Sequence, residues 1–416
     1  RKKWPTGGLR TFGLQQWRPA PPPTWVTCIP SRRHPELVPA FAAQLASALG
    51  LPFVSALKKV RDTAEQKAMQ NSSQQARNLA AELLPPQSLM SAPSANTQAV
   101  LLLTSPLLQE GGMGTRKDPV LSASEYAELA ARLQQERHEP ADLINGARQT
   151  LLATLSESFP AERLDNLLSR GFQLSQAVEH WANRSITVIG RADLFYPRRF
   201  KQRLKRSAPP LLYACGNLDL LHRPALAVVG ARSTPEALLQ QAEAVGALAA
   251  EAGVVIASAA AKGVDETAML GSLAAGGCAI GVVADSLEKV SARPIWRQAL
   301  LEGRLLLLSS DAPSARFQVW RAMGRNKLIY ALADAALVVS STKGEGGTWA
   351  GATEQLQCLR FCPVHVLSDP RGGPGLAALA ESRCSGSGAR VQEWRKDACL
   401  RPVDVWRCCQ PGLAES

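Results

Sequence analysis

Small, polar and basic residues recur where short apolar runs of this chain give way to helical patterns. The first such junction is Gly230-Ala231-Arg232-Ser233-Thr234. A glycine allows backbone N–H groups to approach an anion closely, and a helix N-terminus favours negative charge. An arginine adds a planar fork of donors that suits phosphate. The junction therefore predicts phosphate binding by Gly230, Arg232 and Ser233. It contains one glycine and no Walker lysine, so it matches neither the dinucleotide fingerprint nor the P-loop.

A second junction runs from Ser258 to Asp265, through small residues that leave the loop open. Lys262 supplies a mobile positive charge, and Asp265 is predicted to cap the helix that follows. The prediction of phosphate binding at this junction comprises Ser258, Lys262, Gly263 and Asp265.

Two further junctions lie closer to the C-terminus. Gly324-Arg325-Asn326-Lys327 is predicted to open a helix, where two cations oppose the helix dipole. A choice of residues that works against local stability favours an anionic ligand, so Arg325, Asn326 and Lys327 are assigned to the site. The turn Gly344-Glu345-Gly346-Gly347-Thr348 offers backbone N–H groups that can cradle phosphate, and it adds Gly346, Gly347 and Thr348.

The elements that position these junctions are predicted to be parallel strands alternating with helices. Continuous apolar runs are typical of a sheet that is covered on both faces. The predicted strands are Leu226–Val229, Val254–Ala257, Cys278–Val283, Leu305–Leu308, Ala336–Val339 and Val364–Leu367. In such a Rossmann-like, doubly wound, mostly parallel α/β sheet, ligands bind at the carboxyl ends of the strands. We therefore expect Arg232, Lys262 and Arg325 to share one pocket.

Composition divides the rest of the chain into a helical part and irregular ends. Residues 122–185 show short helical periods, so residues 90–190 are interpreted as a linker and a small helical module. The Rossmann-like domain is assigned to residues 191–380. The segment 381–416 has no period and is left irregular. Residues 1–89 form a separate segment.

The net charge of +12 is unevenly spread along the chain. Residues 225–380 hold 13 basic and 13 acidic side chains, so net charge alone does not indicate a nucleic-acid partner. A basic run precedes the sheet domain, where it can contact DNA or cover a solvated helix face. It comprises Arg198, Arg199, Lys201, Arg203, Lys205 and Arg206.

Signatures of several enzyme and location classes are missing from the sequence. The five histidines are isolated, and there is no CxxC pair and no G-x-S-x-G elbow. This pattern favours a binding protein without a metal or cofactor over an enzyme. Nine scattered cysteines indicate reduced thiols and a cytoplasmic location. No apolar run approaches the roughly 20 residues of a membrane span, and no signal peptide is expected.

The motifs, taken in order, resemble the DprA/Smf DNA-processing family. The resemblance covers about residues 90–379 and includes Asp193-x-x-Tyr196-Pro197 and Pro209–Asn217. The family's Gly-Ser-Arg turn corresponds to Gly230–Arg232, its Ser-Gly loop to Ser258–Asp265, and its Arg-Asn-Arg segment to Arg325–Lys327. The resemblance implies binding of single-stranded DNA and cooperation with the RecA recombinase in DNA uptake or recombination. A homodimer is a further hypothesis.

The chain departs from that family in places. Ala259 replaces the usual glycine, and Met269 stands where the family has a histidine. Residues 24–83 are similar to the first half of a ComF-like phosphoribosyltransferase domain, which also occurs at the C-terminus of some RecQ-type helicases. The similarity rests on Val26–Pro35, Gln66-Lys67 and Arg77-Asn78. Because the acidic loop that binds phosphoribosyl pyrophosphate is missing, residues 1–89 are interpreted as a truncated segment without transferase activity.

A second interpretation rests on Arg325-Asn326-Lys327, Gly346-Gly347-Thr348 and Glu354. These residues are similar to the pattern of LOG-type nucleotide phosphoribohydrolases, in which Arg and Glu assist cleavage of an N-glycosidic bond. Glu345 stands in place of that pattern's second glycine, and Glu354 lies six residues beyond Thr348 instead of three. A nucleotide hydrolase or nucleotide-sensing domain is therefore the alternative to a DNA-binding mediator.

Overall fold

A computed structural model describes residues 93–107 and 119–381, apart from 147 and 157. It also describes short pieces at 26, 28, 36–49, 51–54, 58–59, 83–84 and 392–394. The chain divides into two compact units, Arg1–Ala92 and Pro93–Ser416. The first contains helix α1 (Leu37–Leu49) and two antiparallel strands, β1 (Lys58–Lys59) and β2 (Leu83–Leu84). Most residues behind the predicted phosphoribosyltransferase similarity, including 29–35, 66–67 and 77–78, lie outside the described residues, and that prediction stays untested.

The second unit is built on one nine-stranded sheet, whose spatial order is β11-β10-β9-β5-β6-β7-β8-β4-β3. Seven neighbouring strands, from β11 to β8, run parallel, while β4 pairs antiparallel with β8 and β3 antiparallel with β4. The strands are β3 (Ile186–Gly190), β4 (Leu211–Gly216), β5 (Ala225–Val229), β6 (Val255–Ser258), β7 (Ala279–Val282), β8 (Leu305–Ser309), β9 (Ala335–Val338), β10 (Val364–Leu367) and β11 (Gln392–Trp394). This arrangement confirms the predicted Rossmann-like α/β class and all six predicted strands.

Helices cover the sheet on both faces, which is why the central strands are almost entirely apolar. Every residue of β6 to β10 is buried. The helices of this part are α7 (Arg198–Leu204), α8 (Glu236–Glu251), α9 (Val264–Ala274), α10 (Leu287–Ser291), α11 (Pro294–Leu301), α12 (Val319–Leu332), α13 (Gly346–Glu354) and α14 (Pro374–Glu381). A π-helical turn, Gln355–Leu359, extends α13.

Five short helices precede the sheet and share its hydrophobic core. They are α2 (Ala95–Thr104), α3 (Ala123–Gln135), α4 (Arg148–Leu155), α5 (Ala161–Leu168) and α6 (Gly171–Ala182). The Trp181 ring packs edge-on against Tyr213 of β4, with 5.2 Å between ring centroids. The Tyr213 hydroxyl donates to Ser105 Oγ at 3.0 Å. The helical module therefore packs against the antiparallel strands of the sheet and shares one hydrophobic core with them.

Three features of the second unit differ from the sequence predictions. Ile186–Gly190 is a strand inside the segment 90–190 that was interpreted as linker and helical module. Its partner, Leu211–Gly216, was not predicted either. Within the segment left irregular, Gln392–Trp394 pairs with β10.

Helix α12 begins earlier than predicted. It starts at Val319, so Arg325, Asn326 and Lys327 lie in its interior. The prediction that Gly324 opens a helix is wrong, and the dipole argument attached to it does not apply. The apolar residues that set the helical period, Leu328 to Leu332, lie C-terminal to these polar ones, which hid the first two turns.

Candidate functional site

The direction of strand connections reverses between β5 and β9. From β5 the chain proceeds through β6, β7 and β8 on one side and then crosses to β9 on the other side of β5. Such a reversal leaves a crevice at the carboxyl ends of the two strands. A cavity of about 680 Å³ occupies this place, between the loops after β5 and β9, helix α12 and the start of α13. We call it the switch-point pocket.

Arg325 forms part of the wall of the switch-point pocket, although it projects from the middle of α12. Its Nη1 donates to the carbonyl oxygens of Ala259 and Val282, each at 3.1 Å. Its Nε is shielded from solvent and has no hydrogen-bond partner. Burial lowers the pKa of Arg325, while the nearby Asp265 carboxylate acts in the opposite direction. The guanidinium is therefore held by two carbonyls that lie near the ends of two strands, and it keeps one donor unused.

Asp265 is a buried carboxyl group in the same pocket. Gly263, and not Asp265, occupies the N-cap of α9, so the capping prediction is wrong. The carboxylate instead accepts a hydrogen bond from the N–H of Gly230 at 3.2 Å, which ties the loops after β5 and β6 together. Burial raises the pKa of Asp265 to about 6, against the opposing effects of Arg325, the Gly230 N–H, Ser258 and Arg232.

The loop after β5 places Arg232 at the exposed mouth of the pocket. Its guanidinium lies over the Phe317 ring, 5.1 Å from the centroid, in a cation–π contact. The adjacent loops approach so closely that they require glycine. A Cβ on Gly263, whose φ is +96°, would lie 2.6 Å from the carbonyl oxygens of Ala231 and Arg232. A Cβ on Gly230 would lie 2.5 Å from the Val264 side chain.

The Gly-rich turn forms the opposite wall. Gly346, Gly347 and Thr348 are the first residues of α13 and line the pocket. Asn326 Nδ2 donates to the Gly347 carbonyl at 3.0 Å, which joins α12 to α13. Glu345 stands at the N-cap of α13, where its side chain makes no capping hydrogen bond. The N–H groups at this helix end therefore have no side-chain partner from the cap.

Ser341 and Phe317 are among the pocket residues that were not predicted from the sequence. Ser341 follows β9, is 3% exposed, and its Oγ has no hydrogen-bond partner. The run Ser340-Ser341-Thr342 after an apolar strand is the same signal that drew attention to the loop after β5. Phe317 carried no comparable signal, because only the path of the chain before α12 brings its ring under Arg232.

The remaining predicted site residues do not line the pocket. Ser258 is fully buried beneath it and donates to the Val228 carbonyl at 2.6 Å. Lys262 is exposed, one residue beyond the lining Ala261, so the expected pocket of Arg232, Lys262 and Arg325 contains the two arginines only. Ser233 and Gly263 also lie outside the lining.

Lys327 and Glu354 form an ion pair, with Nζ and Oε1 2.9 Å apart. Neither residue lines the pocket. The glutamate that the alternative hydrolase interpretation would use is therefore bound to α12 and directed elsewhere.

Two residues of the basic run, Arg199 and Arg203, make contacts that stabilise the fold. Arg203 Nη1 donates to the carbonyls of Ala331 and Ala333, at 3.0 and 2.6 Å, at the C-terminal end of α12. Arg199 forms an ion pair with Asp334 at 3.0 Å. The members of the run that are exposed are Arg198, Lys201, Lys205 and Arg206.

The Asp193-x-x-Tyr196-Pro197 motif is structural as well. The Asp193 carboxylate accepts hydrogen bonds from the hydroxyls of Ser94 and Thr97, at 2.7 and 2.8 Å, and so fixes the start of α2. The Tyr196 hydroxyl donates to the Pro209 carbonyl at 2.6 Å.

Within the described part of the chain, no three His, Cys, Asp or Glu side chains are grouped as a metal site would require. A search of the same residues finds no helix with the length and apolarity needed to cross a bilayer.

Comparison with known proteins finds similarity to one sequence family. Residues 187–372 match the model of the family described as DNA recombination-mediator protein A. The DNA processing protein DprA of Streptococcus pneumoniae (strain ATCC BAA-255 / R6) is 32% identical over 140 residues, which are 33% of this chain and 49% of that protein. The DprA of Bacillus subtilis (strain 168) is 28% identical over 209 residues, 49% of this chain and 69% of that protein. The chain thus spans about half the length of the first relative.

A solved structure of DNA processing protein A from Helicobacter pylori, described as giving insights into a unique single-stranded DNA binding mode, has 22% identity with this chain. The TM-score is 0.38, and the match covers 44% of this chain and 81% of that one.

Proposed function

We propose that this chain, whose residues 187–372 match the model of the family described as DNA recombination-mediator protein A, binds single-stranded DNA across the switch-point pocket. The family's description as a recombination mediator agrees with the prediction of a binding protein in preference to an enzyme. The role we propose is to hold a strand through its phosphates and bases during DNA processing.

The observation that carries this proposal is the set of unused donors in the pocket. Arg325 Nε and Ser341 Oγ are shielded from solvent and have no protein acceptor. Buried polar groups are nearly always hydrogen-bonded, so donors left without an acceptor in a crevice suit a ligand rich in acceptors. Phosphate oxygens have that property, and the N-terminal end of α13 adds a favourable dipole.

The rim of the pocket suits the bases of a strand. Phe317 and Val319 line the pocket and are 40% and 71% exposed, and Trp320, the next residue along the chain, is 65% exposed, although all three are large apolar side chains. Arg232 lies over Phe317, and Arg321 lies over Trp320 at 4.9 Å. Single-stranded nucleic acids are bound by such combinations of aromatic faces and cations, in which stacking contributes about 1–3 kcal/mol per base.

The test is a titration of strands of increasing length at several salt concentrations. For a strand held through its phosphates, affinity rises with length and falls with salt, with a slope of about −0.7 per neutralised phosphate. Lys262→Ala removes an exposed cation beside the pocket, so it should weaken binding to every sequence and make the slope shallower by nearly one contact.

The control is Arg360→Ala, which removes one exposed positive charge four residues before β10, on the side of the sheet where the parallel strands begin. It should leave the salt slope unchanged. Affinity that is independent of strand length would overturn the proposal.

Cooperation with the RecA recombinase, a homodimer and a cytoplasmic location belong to the same proposal. The description of the family as a recombination mediator supports the first. Addition of RecA to a complex of this chain with a single strand should accelerate the formation of RecA filaments. Sedimentation of the free chain at two concentrations would test the homodimer.

A further inference from the structure

We propose that the floor of the switch-point pocket binds the phosphate of a nucleoside phosphomonoester. This chemistry is shared by a free nucleoside 5′-monophosphate and by the 5′-phosphorylated end of a single strand. The strand-end version rests on the proposed function, whereas the free-nucleotide version does not.

Ser341 forms part of the floor of the switch-point pocket. Its backbone is fixed on both sides, because its N–H donates to the Gly372 carbonyl at 2.9 Å and its carbonyl accepts from the Gly375 N–H at 3.0 Å. The side chain is 3% exposed, and its hydroxyl has no partner. A hydroxyl that is held rigidly in a pocket wall without a partner indicates a missing acceptor.

Arg325 supplies a second fixed donor on the same lining. Because Nη1 is bound by the carbonyls of Ala259 and Val282, the guanidinium plane is held and the direction of its Nε–H is set. That Nε–H is shielded from solvent and unused. An arginine with a fixed plane and a free donor is suited to a phosphate oxygen.

The third source of donors is the first turn of α13, a helix of nine residues. The first N–H groups of a helix have no partner inside it, and Glu345 does not cap them. Gly346, Gly347 and Thr348 line the pocket, so this end of the helix dipole faces the cavity. Donors from three separate elements therefore surround one volume.

The difference in exposure between floor and rim favours a terminal phosphate over an internal one. Ser341, Asp265 and Tyr330 are buried, whereas Arg232 and Phe317 at the mouth are exposed. An internal phosphodiester would have to bring two flanking nucleotides through one mouth, while a terminal phosphate enters with one. A monoester also presents three non-bridging oxygens to the three groups of donors.

The size and the mouth of the pocket suit a nucleotide. A volume of about 680 Å³ lies within the 300–1,000 Å³ typical of small-molecule sites. The Phe317 ring and the Arg232 guanidinium stacked on it give a base a flat surface at the rim. Asp265 and Glu345 also line the pocket and offset the charges of Arg232 and Arg325. Recognition therefore depends on hydrogen-bond geometry and stacking more than on net charge.

The experiment uses the full chain and 12-nucleotide thymidine strands labelled at the 3′ end, with either a phosphate or a hydroxyl at the 5′ end. We expect the 5′-phosphate to raise the affinity of the wild type about tenfold. Ser341→Ala should reduce that preference to less than twofold. Ser272→Ala, which alters a fully buried serine of α9 that donates to the Cys278 carbonyl before β7, should retain the preference.

Free thymidine monophosphate and thymidine, titrated by calorimetry, separate the two sources. Binding of the monophosphate but not of thymidine supports the free nucleotide. A preference for the 5′-phosphorylated strand without binding of the free monophosphate assigns the site to strand ends.

Equal affinity for both strands together with no binding of the monophosphate would overturn the inference, even if the dependence on strand length upholds the proposed function. A preference that survives Ser341→Ala would also overturn it. Binding of the monophosphate by a chain that binds no strand would uphold this site and reject the proposed function.

Discussion

The switch-point pocket and the contact between α7 and α12 both contain arginines, but their polar groups differ in whether they have partners. Between α7 and α12, Arg203 donates to backbone carbonyls and Arg199 pairs with Asp334. In the pocket, Arg325 Nε and Ser341 Oγ have no partner, and the pKa of Asp265 is raised by burial. Ala260, in the loop after β6, also adopts a positive φ of +51°, which non-glycine residues rarely occupy.

This difference separates cations that hold the fold together from cations that are available to a ligand. The last carbonyls of a helix have no partner inside it and attract positive charge, so the arginines of α7 stabilise the end of α12. Groups in the pocket reduce stability where they stand, and a ligand would satisfy them. In a sequence, the two sets of basic residues look alike.

The largest expected effect concerns Asp265. An aspartate carboxyl has an ordinary pKa of 3.8, and burial raises the pKa of Asp265 to about 6 in the folded protein. Folding therefore favours the neutral form of this carboxyl. The contribution of the Asp265 carboxyl to the unfolding free energy is fully present below pH 3.8, where the group is neutral. This contribution is lost as the pH rises through about 6. The difference corresponds to about 3 kcal/mol. The unfolding free energy of Asp265→Asn should therefore rise relative to the wild type by up to that amount between pH 4 and pH 8.

Urea denaturation at several pH values measures this change. Asp193→Asn, which removes a carboxylate that binds two hydroxyls in the same unit, serves as the comparison and should destabilise the protein. A constant difference between Asp265→Asn and the wild type across this pH range would show that the pocket carboxylate is not penalised by burial.

Arg203→Ala should have the next largest effect, in the opposite direction. It removes a charged donor and leaves the carbonyls at the end of α12 without that partner, which costs about 2 kcal/mol of unfolding free energy. Arg198→Ala removes an exposed arginine of the same helix and should change stability by less than about 0.5 kcal/mol. Both variants can be compared by urea denaturation. If the two lose equal stability, the distinction between α7 and the pocket is wrong.

Arg232→Ala should have the smallest effect on free energy and act on binding alone. We expect about tenfold weaker affinity for a single strand, or about 1.4 kcal/mol, with no change in stability. Arg232→Lys should also weaken binding, because a point charge reproduces neither the planar fork nor the stacking on Phe317. Fluorescence anisotropy and thermal unfolding of the same samples test the pair. A loss of stability that matches the loss of affinity would place Arg232 with the structural arginines.

Local pattern in the sequence was sufficient to predict the parallel strands and the junctions that follow them. Apolar runs of four or five residues are long enough to identify strands that are buried on both faces, and glycine and small polar residues at their ends need no knowledge of distant contacts. For this reason β5 to β10 were predicted, and Gly230 and Arg232 lie, as expected, in the loop after β5. The family resemblance rests on the same short motifs.

Only the tertiary structure decided which side chains are free. The start of α12 at Val319, the Lys327–Glu354 ion pair and the burial of Ser258 all depend on elements far apart in the chain. The crossing of the chain from β8 to β9 brings Ser341 into the lining of the pocket that contains Arg325 and Asp265. No local pattern in the sequence predicts that these three residues line one pocket. Residue type and spacing determine what a side chain can donate or accept, whereas the partners it meets, and therefore whether it is left for a ligand, are set by long-range packing.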